Sequence, residues 1–92
     1  MRKFKNKQGI EFLAQIYNPE NIENLVRFIH LFDAKAEVTS NDNGVIIKDR
    51  KYSAMVLSAT GEPGWVCWDP INKGFCYRED KYIAANCEGM LL

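Results

Sequence analysis

The sequence predicts an α+β fold in which one amphipathic helix packs on a mainly antiparallel sheet of about five to six short strands. One segment carries apolar residues at helical spacing, whereas most other segments alternate apolar and polar residues with the period of a strand. Turn-forming residues separate these segments. A chain of 92 residues supports one hydrophobic core, so we expect a single domain over residues 1–92, with residues 1–8 as a flexible basic arm.

The first two predicted elements after the arm are a strand and a helix. Apolar and polar side chains alternate from Ile10 to Tyr17, and the second face also carries apolar residues, which suits a central strand. Asn18 offers a side-chain oxygen as N-cap, and Pro19 suits the first helical position, where an N–H is not needed. We therefore predict a helix from about Pro19 to Phe32, whose apolar stripe packs on the sheet.

Short strands and turns follow the helix. Residues 41–44, Asn-Asp-Asn-Gly, tolerate the positive φ values that a tight hairpin turn requires. A second hairpin turns through residues 69–74, and if Trp68 faces Phe75 in it, Cys67 faces Cys76. The predicted strands are Ala36 to Thr39, Val45 to Lys48, Tyr52 to Ser58, Trp65 to Trp68 and Phe75 to Arg78, with further turns at Asp49-Arg50-Lys51 and Gly61-Glu62-Pro63-Gly64.

The C-terminal stretch, residues 79–92, supports two predictions. In the first, Asp80 caps a single turn through Tyr82, and Ala84 to Cys87 return as a final strand. In the second, Asp80 to Asn86 form one short helix. The sequence leaves both open.

Charge and hydropathy disfavour several classes of protein. Twelve basic and twelve acidic residues cancel, so the chain lacks the positive field that drives general nucleic-acid binding. No segment approaches the roughly 20 apolar residues of a membrane span, and polar residues interrupt every candidate for a secretory signal. We therefore expect a cytoplasmic protein that does not bind membranes.

The three cysteines and the single histidine match no recognised catalytic or metal-binding pattern. Cys67, Cys76 and Cys87 lack the spacing of a zinc site or a redox pair, so we predict free thiols. His30 lies in the predicted helix, where catalysis would need a nucleophile and an orienting partner brought to it. We expect no catalytic residue, no metal and no cofactor, with a small enzyme that uses one of these cysteines and His30 as an alternative.

Aromatic and basic residues are concentrated between Trp65 and Tyr82. Flat rings stack on nucleobases, and arginine or lysine pairs with phosphates, so this segment predicts a surface for a nucleotide-like molecule. Rings that fill the core of a small protein are the alternative interpretation. The predicted ligand-binding residues are Trp65, Trp68, Tyr77 and Tyr82 for stacking, with Arg50, Arg78 and Lys81 for phosphates.

The order of motifs along the chain resembles a group of short proteins common in tailed-phage genomes. Those proteins open with a basic K-x-K-P, continue through a strand ending E-A-x-Q-[WY] and a helix, and close with P-G-D-[WY], a hairpin and an aromatic-rich ending. The resemblance extends over nearly the whole chain. The corresponding segments are Lys3 to Lys7, Ala14 to Tyr17, the helix from Asn21 and Ile22, Pro63-Gly64-Trp65-Val66, Gly74-Phe75-Cys76-Tyr77 and Asp80 to Glu88.

The resemblance implies a phage protein that acts in the host cytoplasm. Small phage proteins without catalytic residues often inhibit a host factor, so it also implies a non-enzymatic binding protein that counteracts host antiviral defence. Such a protein would sequester a nucleotide-derived immune signal, as a sponge, or bind a defence protein. A virion or assembly protein, or another structural homo-oligomer, is the alternative from a different class.

Overall fold

The computed structural model describes residues 1–49, 54–58 and 63–91 of the chain. The chain divides into two compact units. The first unit combines Met1–Tyr17 with Glu62–Leu92, and the second is Asn18–Gly61. Residues 50–51 and 61–62 of the two further predicted turns, and the first two residues of the strand predicted from Tyr52, lie outside the described residues.

Two helices and eight strands are present in the described part of the chain. The helices are α1 (Glu23–Phe32) and α2 (Asp80–Asn86), and neither is long and apolar enough to cross a membrane. The strands are β1 (Arg2–Asn6), β2 (Glu11–Tyr17), β3 (Glu37–Asn41), β4 (Gly44–Lys48), β5 (Ala54–Ser58), β6 (Gly64–Asp69), β7 (Gly74–Glu79) and β8 (Cys87–Met90).

The predicted α+β class with antiparallel strand pairing is confirmed, but the predictions of a single sheet and of a single helix were wrong. The strands divide into a sheet of five in the order β7-β6-β2-β1-β8 and a sheet of three in the order β3-β4-β5. The reason is local: β3, β4 and β5 follow one another and pair with each other, so they complete a sheet of their own.

The centre of the five-stranded sheet is β2, as the apolar residues on both of its faces predicted. Its neighbour β1 lies in the segment expected to be a flexible arm, yet β1 pairs with β2 on one side and β8 on the other. The arm prediction was wrong because Phe4 lies among the basic residues and anchors them. Its side chain is 5 % exposed, and its ring packs against Phe12 and Trp65.

The β6–β7 hairpin has the predicted register. Trp68 is opposite Phe75, and Cys67 is opposite Cys76. Successive side chains of a strand point to opposite faces, so the two cysteines share one face of the sheet and the two rings share the other. The rings of Trp68 and Phe75 are in edge contact, with their centroids 5.0 Å apart.

The turn of this hairpin is held by Asp69. Its carboxylate accepts the backbone N–H of Ile71 at 2.9 Å and that of Asn72 at 3.2 Å. Its carbonyl oxygen accepts the N–H of Lys73 at 2.8 Å, and Lys73 takes a left-handed φ of 54°. An aspartate that binds the backbone two residues ahead is a common turn device, and here it fixes the length of the loop.

One face of the five-stranded sheet packs against α2. The prediction of one short helix from Asp80 to Asn86 is confirmed. The other prediction, a single turn followed by a strand from Ala84, was wrong, because β8 begins only at Cys87. The indole N–H of Trp65 donates to Asp80 at 2.8 Å, which ties β6 to the first turn of the helix. The buried cluster on this face consists of Phe4, Ala14, Trp65, Cys67 and Ile83.

In the second unit, α1 begins at Glu23 rather than at Pro19. The Asn18 side-chain oxygen accepts the N–H of Glu20 at 3.0 Å, and the Asn21 oxygen accepts that of Glu23 at 3.2 Å. Each asparagine thus forms a local turn with its own backbone, which competes with helical hydrogen bonding and delays the start of the helix. The helix ends where the sequence predicted.

The three-stranded sheet contains the predicted hairpin between β3 and β4. The Asn41 side chain accepts the N–H of Asn43 at 2.8 Å, and Gly44 has a φ of 140° that other residues rarely adopt. The sheet buries Val45, Ile47 and Leu57.

Tyr77 closes over the backbone of Gly64 on the neighbouring strand. A Cβ atom at Gly64 would overlap the hydroxyl and the ring of Tyr77, whereas a Cβ at Gly74 would meet nothing within 4 Å. Gly64→Ala should therefore lower the free energy of unfolding by about 1–3 kcal/mol through overpacking. Urea unfolding monitored by tryptophan fluorescence measures the change.

A double-mutant cycle separates this contact from the general cost of replacing a glycine in a strand. In a Tyr77→Ala background, Gly64→Ala should cost clearly less, and Gly74→Ala should change stability by less than about 0.5 kcal/mol in either background. An equal cost of Gly64→Ala in both backgrounds would contradict the contact.

Candidate functional site

A groove of about 300 Å³ lies in the first unit, at the low end of the volumes typical of small-molecule sites. We call the part that is lined by Asn6, Gln8, Ile10 and the β6–β7 turn its rim, and the other strand and helix residues line the rest. Its polar side chains are Asn6, Gln8, Asp69, Asn72 and Arg78, and its thiols are Cys67, Cys76 and Cys87. Its apolar and aromatic residues are Ile10, Phe12, Trp68, Pro70, Ile71, Tyr82 and Ile83.

The three cysteines meet in the groove because three strands contribute one each. Cys67 of β6 is the direct partner of Cys76 of β7, and Cys87 of β8 is the partner of Asn6 in β1. Cys76 and Cys87 are partly buried and pack against the cluster that contains Cys67. All three are free thiols, as predicted. Among residues 1–49, 54–58 and 63–91, no group of three or more metal-binding side chains is arranged to hold a metal ion.

Cys76 is the thiol most readily ionised. A hydrogen bond from Cys67 lowers the pKa of Cys76 to about 7, the positive charge of Arg78 acts in the same direction, and burial opposes both. Hydrogen bonding to Cys76 and burial raise the pKa of Cys67, and burial raises that of Cys87. Near neutral pH, therefore, about half of the molecules carry a thiolate at Cys76, beside a protonated Cys67.

The single S–H proton of Cys67 has two acceptors within reach. One is the carbonyl oxygen of Trp65, at 3.8 Å from the Cys67 sulfur, and the other is the sulfur of Cys76. A charged acceptor makes the stronger hydrogen bond, so the proton turns to Cys76 whenever Cys76 is ionised.

Arg78 and Tyr82 form the cationic and aromatic part of the groove. The guanidinium carbon of Arg78 lies 5.4 Å from the centre of the Tyr82 ring, a cation–π arrangement. Arg78 is exposed, and Tyr82 is 47 % exposed, so both remain accessible to a ligand. Of the seven predicted ligand-binding residues, these two are brought together in the groove.

The other predicted residues lie elsewhere or have other partners. Trp65 is 8 % exposed and belongs to the core, where its N–H binds Asp80. Trp68 borders the groove, but its ring packs on Phe75. Tyr77 covers Gly64, and the ammonium of Lys81 lies 3.4 Å from Glu79. The last of the seven, Arg50, is outside the described residues.

One feature of the site was incompletely predicted from the sequence. The hairpin predicted that Cys67 faces Cys76. The position of Cys87 beside them was not predicted, because the start of its strand depends on where α2 ends. The alternative enzyme needs His30, which belongs to the second unit and has its Nε2 atom 3.0 Å from the carbonyl oxygen of Ala36.

The low pKa of Cys76 gives a testable pH dependence. Only the thiolate reacts with alkylating reagents, so the rate of Cys76 labelling should rise with pH around a midpoint of about 7, below the roughly 8.5 of an ordinary thiol. Iodoacetamide labelling followed by peptide mass spectrometry measures this rate. Cys67→Ala removes the hydrogen-bond donor and should move the midpoint upward, whereas Cys67→Ser retains a donor and should not.

Cys87→Ser is the matched control, because it removes a groove thiol without touching the hydrogen bond. It should leave the midpoint for Cys76 unchanged. A midpoint that moves equally in Cys67→Ala and Cys67→Ser would show that packing, and not the donor, determines the ionisation of Cys76.

Comparison of the chain with protein-family models, curated proteins and solved structures finds no match. The function is therefore inferred from the groove itself. Its distinguishing chemistry is an arginine stacked on a tyrosine, a rim of amide side chains and three thiols.

Proposed function

We propose that this protein is a non-enzymatic binding protein that captures a small, anionic, nucleotide-like molecule in the groove. The observation that carries this proposal is the position of Arg78 over the exposed ring of Tyr82, within a cavity of ligand size. An arginine fork matches the oxygens of a phosphate, and stacking on an aromatic ring restrains it before a ligand arrives. Less conformational entropy is then lost on binding.

The rim of the groove supplies groups that suit a nucleobase. The Asn6 side-chain oxygen accepts the backbone N–H groups of Gln8 and Ile10, at 2.9 and 3.0 Å, which fixes this amide at the rim. The Asn72 amide donates to Asp69 at 2.8 Å, which positions it on the β6–β7 turn. Amide side chains pair well with base edges, and Tyr82 offers a face for stacking.

Capture of such a ligand would serve the role that the phage resemblance implies. A protein that binds a nucleotide-derived immune signal in the host cytoplasm lowers its free concentration and so blocks the defence that the signal activates. Binding alone is sufficient for this role, and no chemical step at the groove is required. Occlusion of a host defence protein is the second form of the proposal, supported by Ile71, which is 66 % exposed at the groove rim.

A thermal-shift screen of linear and cyclic nucleotides, followed by calorimetric titration, tests the capture of a ligand. A nucleotide present at 100 times its dissociation constant should stabilise the folded protein by about 2.7 kcal/mol. If no nucleotide in the panel binds, that result would contradict nucleotide capture. In that case, a pull-down of a defence protein from host lysate would indicate the protein-binding role. A large assembly in solution without ligand would instead indicate the structural role.

Arg78→Gln tests whether the groove is the binding site. Loss of a charged hydrogen-bond donor should weaken the affinity about tenfold or more. Arg2→Gln is the matched control, since Arg2 also lies over a ring, that of Phe4 at 5.2 Å, but does not line the groove. It should change the affinity less than about twofold. Equal losses in the two variants would mean that ligands bind outside the groove.

A further inference from the structure

Two thiols face each other across the β6–β7 pair inside the groove. Directly opposed residues of an antiparallel pair have Cα atoms about 4.5–5.5 Å apart, and a disulfide requires about 4.4–6.8 Å. Cys67 and Cys76 are opposed in this way, so a bond between them needs no rearrangement of the strands. The two side chains project from the same face of the sheet, and both line the groove.

We propose that Cys67 and Cys76 form a dithiol site that exchanges with a small-molecule disulfide bearing carboxylates. Cys76 is the attacking thiol, because it borders the groove and is only half-buried. Cys67 is the resolving thiol, because it is 3 % exposed and has Cys76 as its cross-strand neighbour. This inference goes beyond ligand capture and does not rest on it.

Arg78 selects the class of disulfide. It follows Cys76 by two residues on β7, so both side chains project from the same face of the sheet, and both line the groove. Its positive charge attracts a carboxylate of the incoming molecule to the side of the groove where Cys76 reacts. A disulfide that carries positive charge lacks this attraction.

The exchange proceeds in two balanced steps. The Cys76 thiolate attacks one sulfur of the small disulfide, which forms a mixed disulfide on Cys76 and releases one small thiolate that takes a proton from water. The Cys67 sulfur, after loss of its proton to solvent, then attacks the Cys76 sulfur and releases the second small thiolate, which also takes a proton from water. Overall, the protein loses two electrons, and the small disulfide gains them and becomes two thiols. One of the two protons taken up balances the proton lost by Cys67, and the other balances the proton that Cys76 lost when it ionised.

The first step prepares the second. The charge and the hydrogen bond of Cys76 raise the pKa of Cys67, together with burial. Once Cys76 is bonded to sulfur it carries no charge, so the largest of these influences is removed, and burial and the charge of Cys87 continue to oppose ionisation of Cys67. The resolving thiol therefore becomes easier to ionise at the stage where it must react.

Exchange of the reduced protein with oxidised glutathione, followed by non-reducing peptide mapping, tests the dithiol site. The wild type should form a Cys67–Cys76 disulfide, Cys67→Ser should stop at a mixed disulfide on Cys76, and Cys76→Ser should form neither product. Cys87→Ser is the matched control and should still give the Cys67–Cys76 disulfide. Thermal unfolding of each reduced variant establishes that it is folded.

The charge of the small disulfide tests the role of Arg78. The ratio of the reaction rates with oxidised glutathione and with positively charged cystamine should fall about fivefold in Arg78→Gln and remain unchanged in Arg2→Gln. A ratio unchanged in Arg78→Gln would overturn the selection by charge. A folded wild type that stays reduced, a disulfide that includes Cys87, or a first adduct on Cys67 would overturn the dithiol site. A failure of the protein to bind nucleotides would change neither the disulfide product nor the ratio of rates, so the two proposals can fail separately.

Discussion

The pairing register of β6 with β7 determines which side chains line the groove. A strand alternates its side chains between two faces, so a shift by one residue would exchange every inward residue for an outward one. With Cys67 opposite Cys76, the thiols and Arg78 share the groove face, and Phe75 and Tyr77 occupy the other. The Asp69 turn stabilises this register, because its carboxylate and carbonyl oxygens together bind three N–H groups of the loop.

The same register places the rest of the groove. Trp65 is the partner of Arg78, and the Trp65 indole binds Asp80, so α2 begins beside the arginine. Tyr82, two residues further along the helix, consequently lies under the guanidinium. The helix ends at Asn86, and Cys87 then starts β8, which returns the third thiol to the same face. One hairpin thus positions the cation, the ring and the thiols.

Local signals predicted much of this fold, and the failures have physical causes. Turn residues and alternation predicted both hairpins and the central β2, since they act over a few neighbouring residues. The start of α1 was misplaced because two asparagine turns compete with a proline start. Trp65, a predicted stacking residue, belongs to the core, since only the three-dimensional packing of Phe4 and α2 decides which rings are covered. Long-range pairing likewise determined the positions of β1 and β8.

The register of β6 against β7 is tested most directly by nuclear magnetic resonance in solution. Cross-strand nuclear Overhauser effects should connect Cys67 with Cys76 and Trp68 with Phe75, together with contacts between Trp65 and Arg78. A pattern shifted by one residue, in which Cys67 contacts Phe75 or Tyr77 as its direct partner, would move Cys76 to the opposite face of the sheet. That result would contradict the groove and both roles inferred from it.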